Sequence, residues 1–292
     1  MAQELVTRPV SVGARTYAIA SDDAYGRALG DVFEPGLSGI LTAACPRGAV
    51  AVDVGANLGL TALLLSQVAS HVHAFEAVPS TRSILEQNLA SAHTDNVTVH
   101  PFGLGEQPGT VQLVRDRDNR SGAFVGDTVL PEGHEHEEGE IRTLDSFLED
   151  IPGPVGLVKV DVEGFELPVL RGGRAFLAMH RPLVVLEMNH WCLNAFQRTS
   201  IPDFLDGLRE VFPHLIALDD ESGQVADLHD PRASYGVMHE HIVHFRFMTV
   251  LGCFDAEQAE PVLRACADRA AQPAPVPPPP SLRERVGRRI SG

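Results

Sequence analysis

The stretch VDVGANLG at residues 52–59 limits the fold more than any other part of the chain. It belongs to a short apolar, β-branched run, AVAVDV at 49–54, which has the character of a buried strand. GANLG at 55–59 then reads as a tight turn, and the residues after it read as a helix, because Leu60, Leu63, Leu64 and Val68 recur on one face. Gly55 lets the backbone approach a ligand, and Gly59 lets the helix begin close to the strand.

The same unit repeats downstream. Residues 71–76 read as a second strand, Pro79-Ser80 opens a helix with Ile84, Leu85 and Leu89 on its buried side, and 96–101 read as a third strand. Strand, helix, strand, helix, strand is the alternation of a parallel α/β sheet. Upstream, residues 1–48 hold a small element and a helix over 37–44 stopped by Pro46 and Gly48, and read as an N-terminal cap or lid segment. Two β-rich pieces, 110–114 and 123–125, predict an inserted hairpin, and 131–140 an exposed acidic loop. A short helix is expected over 144–149 with Thr143 as its N-cap.

The parallel pattern resumes with strands at 155–162 and 182–188, separated by helical pieces at 165–171 and 174–180. A helix over 201–212, a strand over 215–218, a last antiparallel strand over 241–250 and a helix over 256–269 complete a catalytic domain of residues 49–270. Residues 271–292 form a tail, mostly proline at 273–280 and then Arg-rich (Arg283, Arg285, Arg288, Arg289), with nothing to build a core and so expected to be disordered.

Composition excludes more than it identifies. Among the 292 residues no run of about 18 apolar residues occurs, and the N-terminus lacks a basic segment followed by an apolar one, so a cytoplasmic protein with no membrane association is expected. A net charge of -16 disfavours a nucleic-acid partner, since phosphate neutralisation needs an excess of Lys and Arg. Cys45, Cys192, Cys253 and Cys266 include no CxxC pair and read as reduced, buried thiols.

Two acids flank the glycine turn in a pattern that selects a ligand. Asp53 at the end of the first strand can accept hydrogen bonds from an ammonium group, and Glu76 at the end of the second can accept both ribose hydroxyls of an adenosine. A dinucleotide turn reads GxGxxG, but here Asn57 and Leu60 replace its second and third glycines. An acid before the turn suits a cationic aminocarboxylate and repels a pyrophosphate, which favours S-adenosylmethionine over NAD.

These motifs resemble the FkbM-type methyltransferases over residues 30–190. The resemblance rests on VDVGANLG at 52–59, FEAVP at 75–79, TLDSFL at 143–148, VKVDVEGFE at 158–166 and LEMN at 186–189. It implies a Rossmann-like class I methyltransferase fold. The implied sheet has seven strands, mostly parallel, in the order 3-2-1-4-5-7-6, with the seventh antiparallel and helices on both faces. It also implies methylation of hydroxyl groups on sugars, polyketides or other secondary metabolites. The expected cofactor-binding set is Asp53, Gly55, Asn57, Gly59, Glu76, Ala77, Gly103, Leu104 and Asp161.

In open parallel sheets, ligands bind beyond the C-terminal strand ends. Lys159, Asp161 and Glu163 alternate along the fourth strand and out of its end, Glu166 follows Gly164, and Glu187 and Asn189 end the fifth strand. Asp161 is the first candidate for the base that takes an acceptor's proton, with Glu163 and Glu187 next. The structural alternative is an ion pair for Lys159 and a helix cap for Glu163 or Glu166. Asp161, Glu163 and Glu187 also offer hard oxygen ligands for a divalent metal, which is not favoured. His239, His241 and His244 are read as ordinary strand residues, Trp191 as core, and Phe33-Glu34-Pro35 as a lid over the donor site. The partner expected is a small-molecule acceptor, with a homo-oligomer left open. The rivals are an N- or C-methyltransferase, an NAD-linked oxidoreductase and a non-catalytic module that binds S-adenosylmethionine.

Overall fold

The computed structural model describes residues 5–116, 119–126, 134–151 and 153–271. The expected Pro-rich, basic tail lies, but for Ala271, outside the described residues. The centre is an eight-stranded sheet in the order β13-β12-β14-β11-β10-β3-β4-β5. Its parallel part is β5 (Val97–His100), β4 (His71–Phe75), β3 (Val50–Val54), β10 (Val155–Val160) and β11 (Leu183–Glu187). β14 (Thr249–Cys253) runs antiparallel between β11 and β12 (His214–Asp219), and β13 (Gln224–Asp227) turns back on β12 at the edge. The expected count of seven strands is therefore corrected to eight, because the segment after β12 folds into an edge strand.

β3 is buried along its whole length, as expected for a strand covered on both faces. Alternation divides its neighbours between two apolar layers. Val52, Val54, Val158, Val160, Val184 and Leu186 meet Phe176, Phe204, Leu205 and Leu208. These last come from α6 (Arg174–His180) and α8 (Ile201–Arg209). Ala51, Leu157 and Val185 face the opposite layer, made with α2 (Pro35–Ala44), α3 (Leu60–Leu65) and α10 (Glu260–Ala270). Each fully buried Val or Leu contributes roughly 1.5–3 kcal/mol. The four cysteines are buried and free.

Residues 5–48 join this second layer. β1 (Val6–Val12) and β2 (Arg15–Ser21) form an antiparallel hairpin, followed by α1 (Ala24–Ala28) and α2. Val10, Val12, Ile19, Ile40 and Leu41 pack with the sheet's own Ala51 and Val72. Asn88, buried in α4 (Pro79–Ser91), accepts from Ala20 N at 2.7 Å and donates to Leu58 O at 2.9 Å, tying the hairpin to the glycine turn.

The inserted hairpin is part of a second sheet, β6-β9-β7-β8. It comprises β6 (Gly103–Leu104), β7 (Gly109–Asp116), β8 (Asn119–Val125) and β9 (His134–Arg142). The acidic loop expected over 131–140 is corrected from residue 134 onward, where the chain is a strand antiparallel to β7; residues 131–133 lie outside the described residues. Its charges are matched: Arg115, 6 % exposed, pairs with Glu135 and Glu137, and Glu137 also accepts from Ser80 N at the start of α4.

Three further expectations are corrected. Residues 231–244 form helix α9 (Pro231–His244), not the start of a strand; Asp230 caps it by accepting from Arg232 N, and Pro231 occupies its first turn. Thr143 precedes a 3-10 turn, Leu144–Phe147, but its side chain makes no cap bond. Trp191 is 57 % exposed, set edge-on to Phe196 rather than buried in the core. The chain between the carboxylates of β10 and β11 forms α5 (Glu166–Arg171) and α6, and α7 (His190–Gln197) follows β11.

Candidate active site

A cavity of about 320 Å³ opens beyond the C-terminal ends of β3, β4, β10 and β11. Its size is within the range of small-molecule sites. Of the expected cofactor-binding residues, Gly55, Asn57, Glu76, Ala77, Gly103, Leu104 and Asp161 line it. Asp53 and Gly59 lie behind it. A side chain on Gly55, whose φ is +80°, would place its Cβ 1.9 Å from Asp161 O, so this glycine is what brings the turn against the end of β10. Gly59 has the same role against α4, where a Cβ would meet Leu85 at 2.8 Å.

Glu76 organises the turn. One oxygen accepts from Asn57 N at 2.9 Å and the other from Val78 N at 2.8 Å. Burial pushes its carboxyl up to about 7, against the lowering by those two N–H groups. Each oxygen keeps a lone pair for a further donor. Asn57 sits at φ +48°, a conformation that asparagine tolerates, and its buried Oδ1 has no partner among the described residues.

Asp53 is not among the residues that line the cavity. It is fully buried, stands opposite Lys159 in the register of β3 and β10, and its Oδ1 lies 3.4 Å from Lys159 Nζ. Burial pushes its carboxyl up, and Lys159 opposes that. The lysine also donates to Gly55 O at 3.0 Å and lies 3.2 Å from Asp161 Oδ2. Burial disfavours the ammonium, but Asp161 and Asp53 outweigh it and hold Lys159 above the usual lysine range. Lys159 thus fastens the glycine turn to the carboxylate beyond the fourth strand.

Asp161, Glu163 and Glu187 converge at the other end, each with a carboxylate oxygen within 4.8 Å of the others. Burial first, and then Asp161, push Glu163 up to about 7. Glu187 is held well above the ordinary carboxylate range by burial and by Asp161, Glu163 and Glu166 around it, and its Oε2 has no hydrogen-bond partner among the described residues. Glu163 adopts φ +53°, which aims it back over the cavity, and accepts from Cys192 Sγ at 2.9 Å. Among the described residues these three are the group whose spacing would admit a cation. Lys159 already brings a positive charge to Asp161.

Glu166 takes the structural part. Its Oε1 accepts from Val162 N and Gly164 N, which closes the loop before α5, and burial pushes it up to about 7. Asn189 caps α7 by accepting from Trp191 N and Cys192 N. His241 is fully buried outside the cavity, accepting from His190 N and bonded to Arg246 O, and burial lowers it to about 4.

Other lining residues stand outside every motif. Tyr25, Glu34 and Leu37 come from the N-terminal segment, Leu113, Ala123, Val125 and Ile141 from the second sheet, and Asp220, Met248 and Thr249 from the β12–β14 side. Only Glu34 carried a signal, the Phe33-Glu34-Pro35 string before α2. Asp220 reaches the cavity because Gly36 packs on its carbonyl, a contact between residues far apart in the chain.

The chain is similar to several known proteins. The profile of the methyltransferase FkbM domain matches residues 53–221. Methyltransferase 1 of Beauveria bassiana (strain ARSEF 2860) is 29 % identical over 148 residues, which are 44 % of this chain and 59 % of that protein. Methyltransferase FkbM from Methylobacillus flagellatus KT has 19 % identity and a TM-score of 0.41, covering 59 % of this chain and 39 % of that one. SMU.1697c from Streptococcus mutans, solved in complex with SAH, has 10 % identity and a TM-score of 0.39, covering 63 % of this chain and 85 % of that one. The chain thus spans less than two thirds of Methyltransferase 1 and of the Methylobacillus protein. The profile match extends from the glycine turn through the carboxylates of β10 and β11, and by it the chain belongs to the FkbM methyltransferase family.

Proposed function

We propose that the chain is an S-adenosylmethionine-dependent O-methyltransferase acting on a hydroxyl of a small-molecule acceptor, a sugar, polyketide or other secondary metabolite. One observation carries this reading: a single cavity joins Asn57 and Glu76 at one end to Asp161, Glu163 and Glu187 at the other. The residues present fit the methyl donor. Asn57 Oδ1 is a buried acceptor without a donor among the described residues, and the lining is rich in carboxylates, which suits a cationic ligand and opposes a pyrophosphate. Bound there, S-adenosylmethionine supplies an activated methyl group. Glu76, with Ala77, Gly103 and Leu104 beside it, would hold the adenosine, and Gly55 and Asn57 the aminocarboxylate.

This chain's own part is positioning and proton removal. Asp161, held by Lys159, orients the acceptor hydroxyl. Glu163 receives its proton, since a carboxyl raised to about 7 is matched to a base working near neutrality. Glu187, held well above the ordinary carboxylate range by burial and by the carboxyls around it, can in its protonated form donate to an acceptor oxygen. Apolar Leu113, Val125, Ile141 and Phe165 wall the cavity and limit water. No metal is assigned a part. No described helix is long and apolar enough to cross a membrane.

Calorimetric titration with S-adenosylhomocysteine, with NADH alongside, tests the donor. Binding of the first alone is expected; binding of NADH instead would overturn the reading. A panel of phenols, glycosides and amines incubated with S-adenosylmethionine then tests the acceptor atom. Methylation of amines alone would remove the O-methylation assignment.

A further inference from the structure

Cys192 lies in the first turn of α7, 29 positions after Glu163 in the sequence, and touches it directly. Its Sγ is 2.9 Å from Glu163 Oε2, and both groups are partly withdrawn from solvent. The contact is over-determined by its surroundings. Asn189 accepts from Cys192 N at 3.3 Å, which fixes the start of the helix. Gly164 lies flat on the same turn, where any Cβ would stand 3.0 Å from Cys192 C and O. A residue larger than glycine at position 164 would therefore push the Glu163 loop away from α7. Glu163 itself has φ +53°, a conformation costly for a residue with a side chain.

The charges around Glu163 define what the thiol does. Asp161 and Glu187 face it as carboxyl groups, Glu166 stands at the loop's far side, and Lys159 is the nearest cation. Lys159 is committed to Asp161, Asp53 and Gly55 O. The S–H of Cys192 is then the side-chain donor in contact with Glu163. A thiol with raised pKa stays protonated and keeps donating; burial and Glu163 itself both raise that of Cys192.

We propose that Cys192 is a positioning residue, whose S–H holds the Glu163 carboxylate over the cavity in the orientation that receives the acceptor proton. The inference rests on Glu163 as the base. It predicts that donation by residue 192, not its bulk, is what matters. Cys192→Ser keeps a donor of similar size; Cys192→Ala removes it.

Two measurements on the full chain test this. The first needs no acceptor: infrared difference spectra between wild type and Cys192→Ser isolate the Cys192 S–H stretching band from those of the other three cysteines. The band is expected at a hydrogen-bonded position that shifts as pH is lowered through Glu163 protonation, and that moves toward the free-thiol position in Glu163→Gln. A free-thiol band insensitive to pH and to Glu163→Gln would overturn the proposal. The second uses a hydroxylated acceptor from the panel above. In Cys192→Ala kcat falls on the order of tenfold, as for a lost hydrogen bond to a charged group, while S-adenosylhomocysteine affinity and the thermal midpoint hold. The acid limb of its pH profile moves to higher pH, because a carboxylate that loses a donor is harder to ionise. Cys192→Ser restores both, and in a Glu163→Gln background Cys192→Ala has no further effect. Additive losses would overturn the proposal. Full activity of Glu163→Gln would instead remove Glu163 as base, and full activity of Cys192→Ala with an inactive Glu163→Gln would remove only the part given to Cys192.

Discussion

At one end of the cavity the Glu76 carboxylate accepts two backbone N–H groups, one on each oxygen. At the other end Asp161, Glu163 and Glu187 crowd together, supported by one lysine and one thiol. Both ends use carboxylates, and the difference lies in what satisfies them. Glu76 is fixed to the turn it organises, so it serves as a rigid template. The three at the far end crowd one another, and burial raises Glu163 to about 7 and Glu187 well above the ordinary carboxylate range. A binding end built from backbone contacts and a reacting end built from crowded carboxyl groups is the division of labour that group transfer needs.

Four changes would break or sharpen this contrast. Gly55→Ala should have the largest effect, because its Cβ would fall 1.9 Å from Asp161 O. Both ends would be disturbed at once, at a cost of more than about 3 kcal/mol, read from the urea midpoint. Next, Asp161→Asn should lower turnover by about 10²- to 10⁴-fold while leaving S-adenosylhomocysteine affinity near that of wild type. Near-wild-type turnover would remove Asp161 from the reacting end. Glu76→Gln should do the reverse, weakening S-adenosylhomocysteine on the order of tenfold with kcat at saturating donor little changed.

The smallest effect concerns pH and separates stability from activity. Glu76, Glu163 and Glu166 are each raised to about 7 in the folded chain, above their unfolded value near 4.5. Folding therefore takes up protons between these values. Stability is fullest below the unfolded value and declines as pH rises toward 7 and is lost above it. Turnover that needs Glu163 as base rises over the same range. Thermal midpoints falling from pH 5 to pH 8 while kcat climbs would agree; parallel trends would contradict the assignment.

The parallel half of the sheet was legible because its strands are short, apolar on both sides and stopped by glycine or acid, as in AVAVDVG at 49–55. The glycine turn and Glu76 were legible for the same reason: they are local. Failures came where distant partners decide. Residues 134–140 read as solvated loop until Arg115 on β7 neutralises Glu135 and Glu137. That Lys159 stands beside Asp53 follows from the register of β3 and β10, which no local pattern announces. His241 and His244 read as strand residues until Asp230 caps, and Pro231 opens, the helix that carries them. The contact between Cys192 and Glu163 had no sequence signal, since it depends on how α7 packs on the loop after β10.

The central claim is that Glu76 and the glycine turn hold an adenosine-bearing methyl donor. Calorimetric titration of wild type and Glu76→Gln with S-adenosylhomocysteine tests it most directly. The account predicts saturable binding to wild type, weakened on the order of tenfold in Glu76→Gln, with both proteins folded. Equal affinity in the two proteins, or no heat from folded wild type, would contradict it.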